Sequence, residues 1–194
     1  MKPYVTGLAL AALGVLSTAP VAADGDRITP PPVPPAIRVQ SGYKPFLVGH
    51  AIGTQGYVCV AVGSTFSWAT FGPQATLFDE YGRQILTHFL SPSPFDSSLF
   101  PTWQDSRDTS AVWAQPIGTT DDPSYVAPGA IPWLLLEVVI GRDGPTGGNR
   151  MTPAVYIQRL NTAGGKAPAI GCAEPLDIKK RMLVPYEADY YFYR

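Results

Sequence analysis

Residues 73–103, PQATLFDEYGRQILTHFLSPSPFDSSLFPTW, place the strongest constraint on the fold. Two runs rich in β-favouring residues, ATLFD at 75–79 and RQILTHF at 83–89, flank the turn signal Asp79-Glu80-Tyr81-Gly82. An aspartate in such a turn bonds its own backbone and a glycine accepts positive φ, so the chain is expected to double back as a hairpin. Period-two spacing sets Ile85, Thr87 and Phe89 on one face and Gln84, Leu86 and His88 on the other. His88 then lies on the more polar face, where an ordinary exposed histidine is the expectation and a ligand-facing one the alternative. Residues 91–110 contain Pro92, Pro94 and Pro101 among serines and aspartates and read as one long loop. Phe95, Leu99, Phe100 and Trp103 give that loop the means to pack back on its domain, as loops that shape binding sites do.

The rest of the chain repeats this pattern. Residues 56–62 are almost wholly apolar and valine-rich, which predicts a central strand, and residues 66–71 alternate. Further strands are expected within 111–115, 131–140, 154–160 and 184–194. In the second of these, 131–140, Val138-Val139-Ile140 before Gly141 favours a buried strand over a helix. Glu137 shares a face there with Trp133, Leu135 and Val139, so it is either paired or at an exposed end. Near the C-terminus, Tyr190 and Phe192 fall on one face and Tyr191 and Tyr193 on the other. Few segments look helical. The expected fold is all-β, an antiparallel β-sandwich or distorted β-barrel of about eight strands, forming a single domain over residues 46–194.

The N-terminus begins with Lys2, an apolar run over 5–16 and small residues up to Ala23, which predicts a signal peptide over residues 1–23 cleaved before Asp24. No later apolar run reaches the roughly 18 residues of a spanning helix, so no transmembrane segment is expected after cleavage. Residues 24–45 form a proline-rich extension in which PPPVPP at 30–35 lacks most donors and fixes φ. That extension either spaces the domain from a surface or lies along it. Removing Lys2 takes the formal net charge from −1 to −2. Such a near-neutral chain, whose one basic run is Lys179-Lys180-Arg181, lacks the positive stripe that nucleic acid requires. Export implies an extracellular location, or a periplasmic one in a Gram-negative source. In either compartment Cys59 and Cys172 are expected to form one disulfide joining early and late parts of the domain.

Catalytic motifs are scarce. Residues 161–168, NTAGGKAP, invite comparison with a phosphate-binding loop, yet Leu160 stands where its first glycine belongs and Ala167 follows Lys166 in place of serine or threonine. A flexible turn is the better reading. No G-x-S-x-G segment supplies an activated serine. His50 and His88, the only histidines, belong to no metal-ligand motif, so neither metal nor other cofactor is predicted. The ligand-binding candidates are His88, Trp103 and Asp105, which flank or occupy the long loop, and Asp79 in the preceding turn. The expected function is a secreted ligand-binding or envelope-associated module whose partner is an extracellular small molecule, glycan or protein. Carbohydrate enters because Trp68, Trp103, Trp113 and Trp133, with 10 tyrosines, offer flat faces, although such residues also build β-cores. One alternative is a hydrolase or isomerase in which Asp79 or Glu137 exchanges protons with His88. A structural or protein-interaction domain is the other.

The segments GTQGYVC at 53–59, PQATLFDEYG at 73–82, HF at 88–89, PTW at 101–103, WLLL at 133–136, IQRLNTAGGKAPAIGC at 157–172 and VPYEADYYFYR at 184–194 form a recognisable set. Through them the chain resembles the secreted family known as domain of unknown function 3455. The resemblance implies export and one folding unit, and it carries no catalytic role. Members of that family pass from the histidine through a short glycine-proline turn to the tryptophan. Here residues 90–100 intervene, and if His88 and Trp103 share a pocket this insertion is expected to reshape its mouth.

Overall fold

A computed structural model describes residues 28–194, so the expected signal peptide over 1–23 lies outside the described residues. Eight strands follow one another: β1 (Pro45–Val62), β2 (Thr65–Phe78), β3 (Gln84–Pro92), β4 (Leu99–Asp105), β5 (Ala111–Thr120), β6 (Trp133–Arg142), β7 (Tyr156–Gly164) and β8 (Arg181–Tyr193). Each pairs antiparallel with the next, and β8 returns to β1 over a long register from Pro45↔Tyr193 to Val58↔Arg181. Of the two expected architectures the chain adopts the closed barrel, which leaves no sheet edge unpaired. Helical structure among the described residues is confined to two short 3-10 turns, Pro35–Ile37 and Pro175–Asp177. None of the described helices is long and apolar enough to cross a membrane.

Two boundaries differ from expectation. The separate runs at 66–71 and 75–79 are one strand, β2, carried through a bulge where the register passes from Gly56↔Gly72 to Tyr57↔Thr70. Gly72 has φ +111°, and a Cβ there would lie 2.7 Å from that of Leu90, so the bulge needs glycine for both conformation and space. The second difference is the stretch 91–110, which is not one loop. Strand β3 continues to Pro92 and β4 begins at Leu99, so residues 90–101 extend a hairpin with Leu90↔Pro101 and Pro92↔Leu99 in register. Prolines remove backbone donors at 92 and 101 without preventing this, because side chains take over part of the ladder's work. Ser91 Oγ bonds Thr102 Oγ1, and the Trp113 indole N–H donates to Ser91 Oγ and the Pro92 carbonyl from the neighbouring strand.

Side-chain alternation divides the apolar residues into two layers. Leu47, Leu77, Leu86, Val112, Ile157 and Phe192 fill the barrel interior with their neighbours. Outside the wall formed by β6, β7 and β8, Trp133, Leu135, Tyr156, Leu160, Tyr191 and Tyr193 make a second cluster. Residues from the proline-rich extension cover it: Ile37 is fully buried there, with Val33, Val39 and Tyr43 packed alongside. The Gln158 amide donates to the Ile37 carbonyl at 2.6 Å, and Tyr193 donates its hydroxyl to the Gln158 oxygen. The described part of the extension, residues 28–45, therefore lies along the barrel. Tyr190 and Phe192 point inward and Tyr191 and Tyr193 outward, the partition that their alternation predicts. A disulfide between Cys59 and Cys172, 113 residues apart in sequence, joins the end of β1 to the segment between β7 and β8.

Candidate functional site

Up-and-down order gives the barrel two unlike ends. At one, called the lower end here, lie the β2–β3 and β4–β5 turns. At the upper end, β1 and β2 join and the long β3–β4 hairpin, the β5–β6 loop and the β7–β8 segment gather. Lower-end side chains pack solidly. Towards the upper end the interior opens into a cavity of about 450 Å³, within the range of small-ligand sites.

The cavity floor is aromatic. His88 on β3 and Trp103 on β4 are direct cross-strand partners and stack with centroids 4.0 Å apart and planes 10° from parallel. Tyr190 on β8 meets both edge-on, at 5.1 Å from His88 and 5.4 Å from Trp103. His88 is only 3% exposed, so the expectation of an ordinary exposed histidine is corrected. The face shared with Leu86 is the interior one, and Gln84 at its solvent end made that face look polar. The His88 Nδ1 sits 2.9 Å from the Thr102 carbonyl oxygen. A carbonyl can only accept, so Nδ1 carries the proton and Nε2 keeps its lone pair. Burial pushes the His88 pKa down to about 3, against the raising effect of the Thr102 bond and with help from Arg159, so the ring is neutral near pH 7.

Apolar side chains form most of the walls, among them Leu90, Leu99, Pro101, Ile131, Leu134 and Leu136. Three of these, Leu90, Leu99 and Pro101, belong to the extended hairpin, which therefore builds part of the cavity's wall. Polar groups come from a few strands. Tyr57 donates its hydroxyl to the Gly165 carbonyl at 2.7 Å, tying the cavity rim to the end of β7. The Gln55 amide donates to Thr70 Oγ1. Arg159, on the interior face of β7 opposite Tyr190, donates through Nε and Nη2 to the Pro132 carbonyl at 3.2 and 2.8 Å. Burial raises the pKa of Tyr57 and Tyr190, and the Arg159 guanidinium opposes that rise in both. The Trp103 indole N–H is buried and meets no acceptor among the described residues.

The other two sequence candidates lie elsewhere. Asp79 closes the β2–β3 turn at the lower end, accepting from the Tyr81 and Arg83 backbone and from Arg83 Nε at 2.7 Å. Asp105, 1% exposed at the lower end of β4, accepts from the Arg107 and Asp108 amides and from Arg150 Nη1 at 3.1 Å. Both carboxylates are thus engaged in holding turns. Glu137, the other carboxylate considered for proton exchange, is half-buried on the outer face of β6 opposite Gln115, while Leu136 beside it faces the cavity. Among the described residues no aspartate or glutamate lines the cavity. Among the described residues no group of three or more His, Cys, Asp or Glu side chains is placed to hold a metal ion.

Sequence reasoning missed Arg159, Tyr57 and Gln55. A signal existed for Arg159, the one charge inside the strand-like run 154–160 and on the same parity as Ile157, but its meaning depended on knowing which face was interior. Comparison with curated proteins and with solved structures gives no match. The profile of a family described as "Protein of unknown function (DUF3455)" matches residues 40–194, the whole of the barrel and the end of the extension, and the chain belongs to that family.

Proposed function

We propose that the protein is a secreted binding module that takes a small, largely apolar molecule into the upper half of its barrel. One observation supports this above the rest: an open cavity of about 450 Å³ whose apolar walls surround a few convergent polar groups, in a barrel otherwise filled by its own side chains. A disulfide accords with an oxidising compartment, where the expected signal peptide would deliver the chain. The binding reading is preferred to acid–base catalysis because His88 faces a cavity lined by no carboxylate among the described residues and is too weak a base to collect a proton near neutral pH. It is preferred to glycan binding because the stacked aromatic faces of His88 and Trp103 are used on each other and the walls offer few hydroxyl partners.

Titration with N-phenyl-1-naphthylamine, an uncharged fluorophore that brightens in apolar surroundings, tests this reading. Saturable binding at one site per chain is expected. Leu134→Trp, which fills the cavity, should weaken that binding at least about tenfold while the thermal melt stays cooperative. Absence of saturable binding by the unaltered protein would refute the proposal.

A further inference from the structure

Within that cavity one group is out of keeping with its surroundings. Arg159 brings a guanidinium among leucines, prolines and aromatic rings, and it forms no ion pair among the described residues. The Pro132 carbonyl takes two of its five N–H groups, from Nε and Nη2. This contact fixes the plane of the fork. Among the described residues it leaves the Nη1 side without a carboxylate to meet, and none of the residues lining the cavity is acidic. A half-buried cation in such a place is costly unless an anion joins it, and a planar fork is shaped for two parallel hydrogen bonds to a carboxylate. We infer that the ligand is an amphipathic monocarboxylate, its apolar body against Leu90, Leu99, Leu134 and Leu136 and its carboxylate on Arg159.

The surroundings fit this polarity. Tyr190 is the cross-strand partner of Arg159, and Leu134 is its partner on the other side, so the charge sits where the aromatic floor meets the leucine wall. Remaining polar lining groups are neutral: Gln55, Tyr57, Thr70, Tyr190 and the uncharged His88. The Tyr190 hydroxyl interacts with the guanidinium, and none of these groups carries the negative charge that would neutralise it. An anion-headed amphiphile would also explain why a barrel with a well-packed lower half keeps an arginine inside its upper half, where leucine or methionine would pack at less cost.

The inference rests on the binding reading, and its test separates the two. Decanoate and decanol, equal in chain length and unlike in charge, are titrated at pH 8 against the protein loaded with N-phenyl-1-naphthylamine. Decanoate should displace the probe about 10- to 100-fold more effectively than decanol. In Arg159→Met, which keeps the length and apolar stem, that preference should vanish while affinity for the uncharged probe persists. Equal displacement by the two compounds in the unaltered protein, or a preference that survives R159M, would overturn the anion inference and leave the cavity reading standing. Failure of the probe to bind the unaltered protein would overturn both. Should R159M fold poorly, the pair of compounds on the unaltered protein still decides.

Discussion

His88 shows how far a residue's chemistry depends on which side of a strand it occupies. Its spacing with Leu86 was readable, but Gln84 at the strand's end disguised the interior face, and nothing in the sequence announced the stack on Trp103. That pairing arises from the β3–β4 register, a long-range property that turn chemistry and alternation do not specify at this distance. The buried ring has a measurable consequence. An unfolded chain binds a proton on His88 near its ordinary value of 6.5, whereas the folded ring resists until about 3. Between those values the unfolded state holds more protons, so this group's contribution to stability is intact above 6.5 and declines as pH falls. The slope is on the order of 1.4 kcal/mol per pH unit well below 6.5. In His50→Gln, where the only remaining imidazole signals are those of His88, NMR should show the neutral ring with Nδ1 protonated from pH 8 down to about 4.5. A midpoint above 5 would mean that water reaches the cavity floor and that the barrel interior is more open than described.

Among the elements, the proline-rich extension and the β3–β4 hairpin were the least legible, for related reasons. Each carries prolines, which locally argue against regular pairing, and each is held by side-chain contacts from strands distant in sequence. For the hairpin these are the Trp113 indole on Ser91 and Pro92; for the extension, Gln158 on the Ile37 carbonyl. Alternation did expose the receiving surface of the extension, since Tyr191 and Tyr193 stood apart from Tyr190 and Phe192, but it could not say what would cover that surface. The answer makes the extension a part of the folded unit. Ile37 is fully buried in the outer cluster, in a turn that packs on β5 and β6, and its truncation leaves a void under a segment with no strand pairing of its own. Ile37→Ala should therefore lower unfolding free energy by about 2–4 kcal/mol in urea titration. A loss below about 0.5 kcal/mol would show that the extension detaches without consequence. The uncharged probe should still bind this variant under folding conditions, because the cavity lies on the other side of the wall.

For the whole molecule, an all-β antiparallel fold of about eight strands was legible from turn signals and alternation, although β2 read as two runs and β4 as loop, and closure was not decided. A sandwich and a barrel use the same strand patterns and differ in whether the first and last strands meet. Here β1 and β8 do meet over almost their full lengths, and the outcome is one interior with a packed half and an open half. Such a closed barrel is dominated by pairings between distant parts of the chain, and its first-to-last pairing is the most expensive in loop entropy. The disulfide acts on that same cost. Cys59 leaves the upper end of β1 and Cys172 precedes β8, with the Cys59 amide donating to the Lys180 carbonyl and the Lys179 amide to the Cys59 carbonyl. The covalent link thus stands beside the β1–β8 seam. Replacing both cysteines by alanine frees a loop spanning 113 residues in the unfolded chain and should cost about 2–5 kcal/mol of stability. It should also slow refolding if the seam closes before the rate-limiting step, because the unfolded chain then loses its head start toward that pairing. Urea titration and stopped-flow refolding of Cys59→Ala/Cys172→Ala against the oxidised protein measure both effects. Equal refolding rates with lowered stability would place closure of the seam after the barrier. Unchanged stability would show that the strand pairing alone holds the barrel shut.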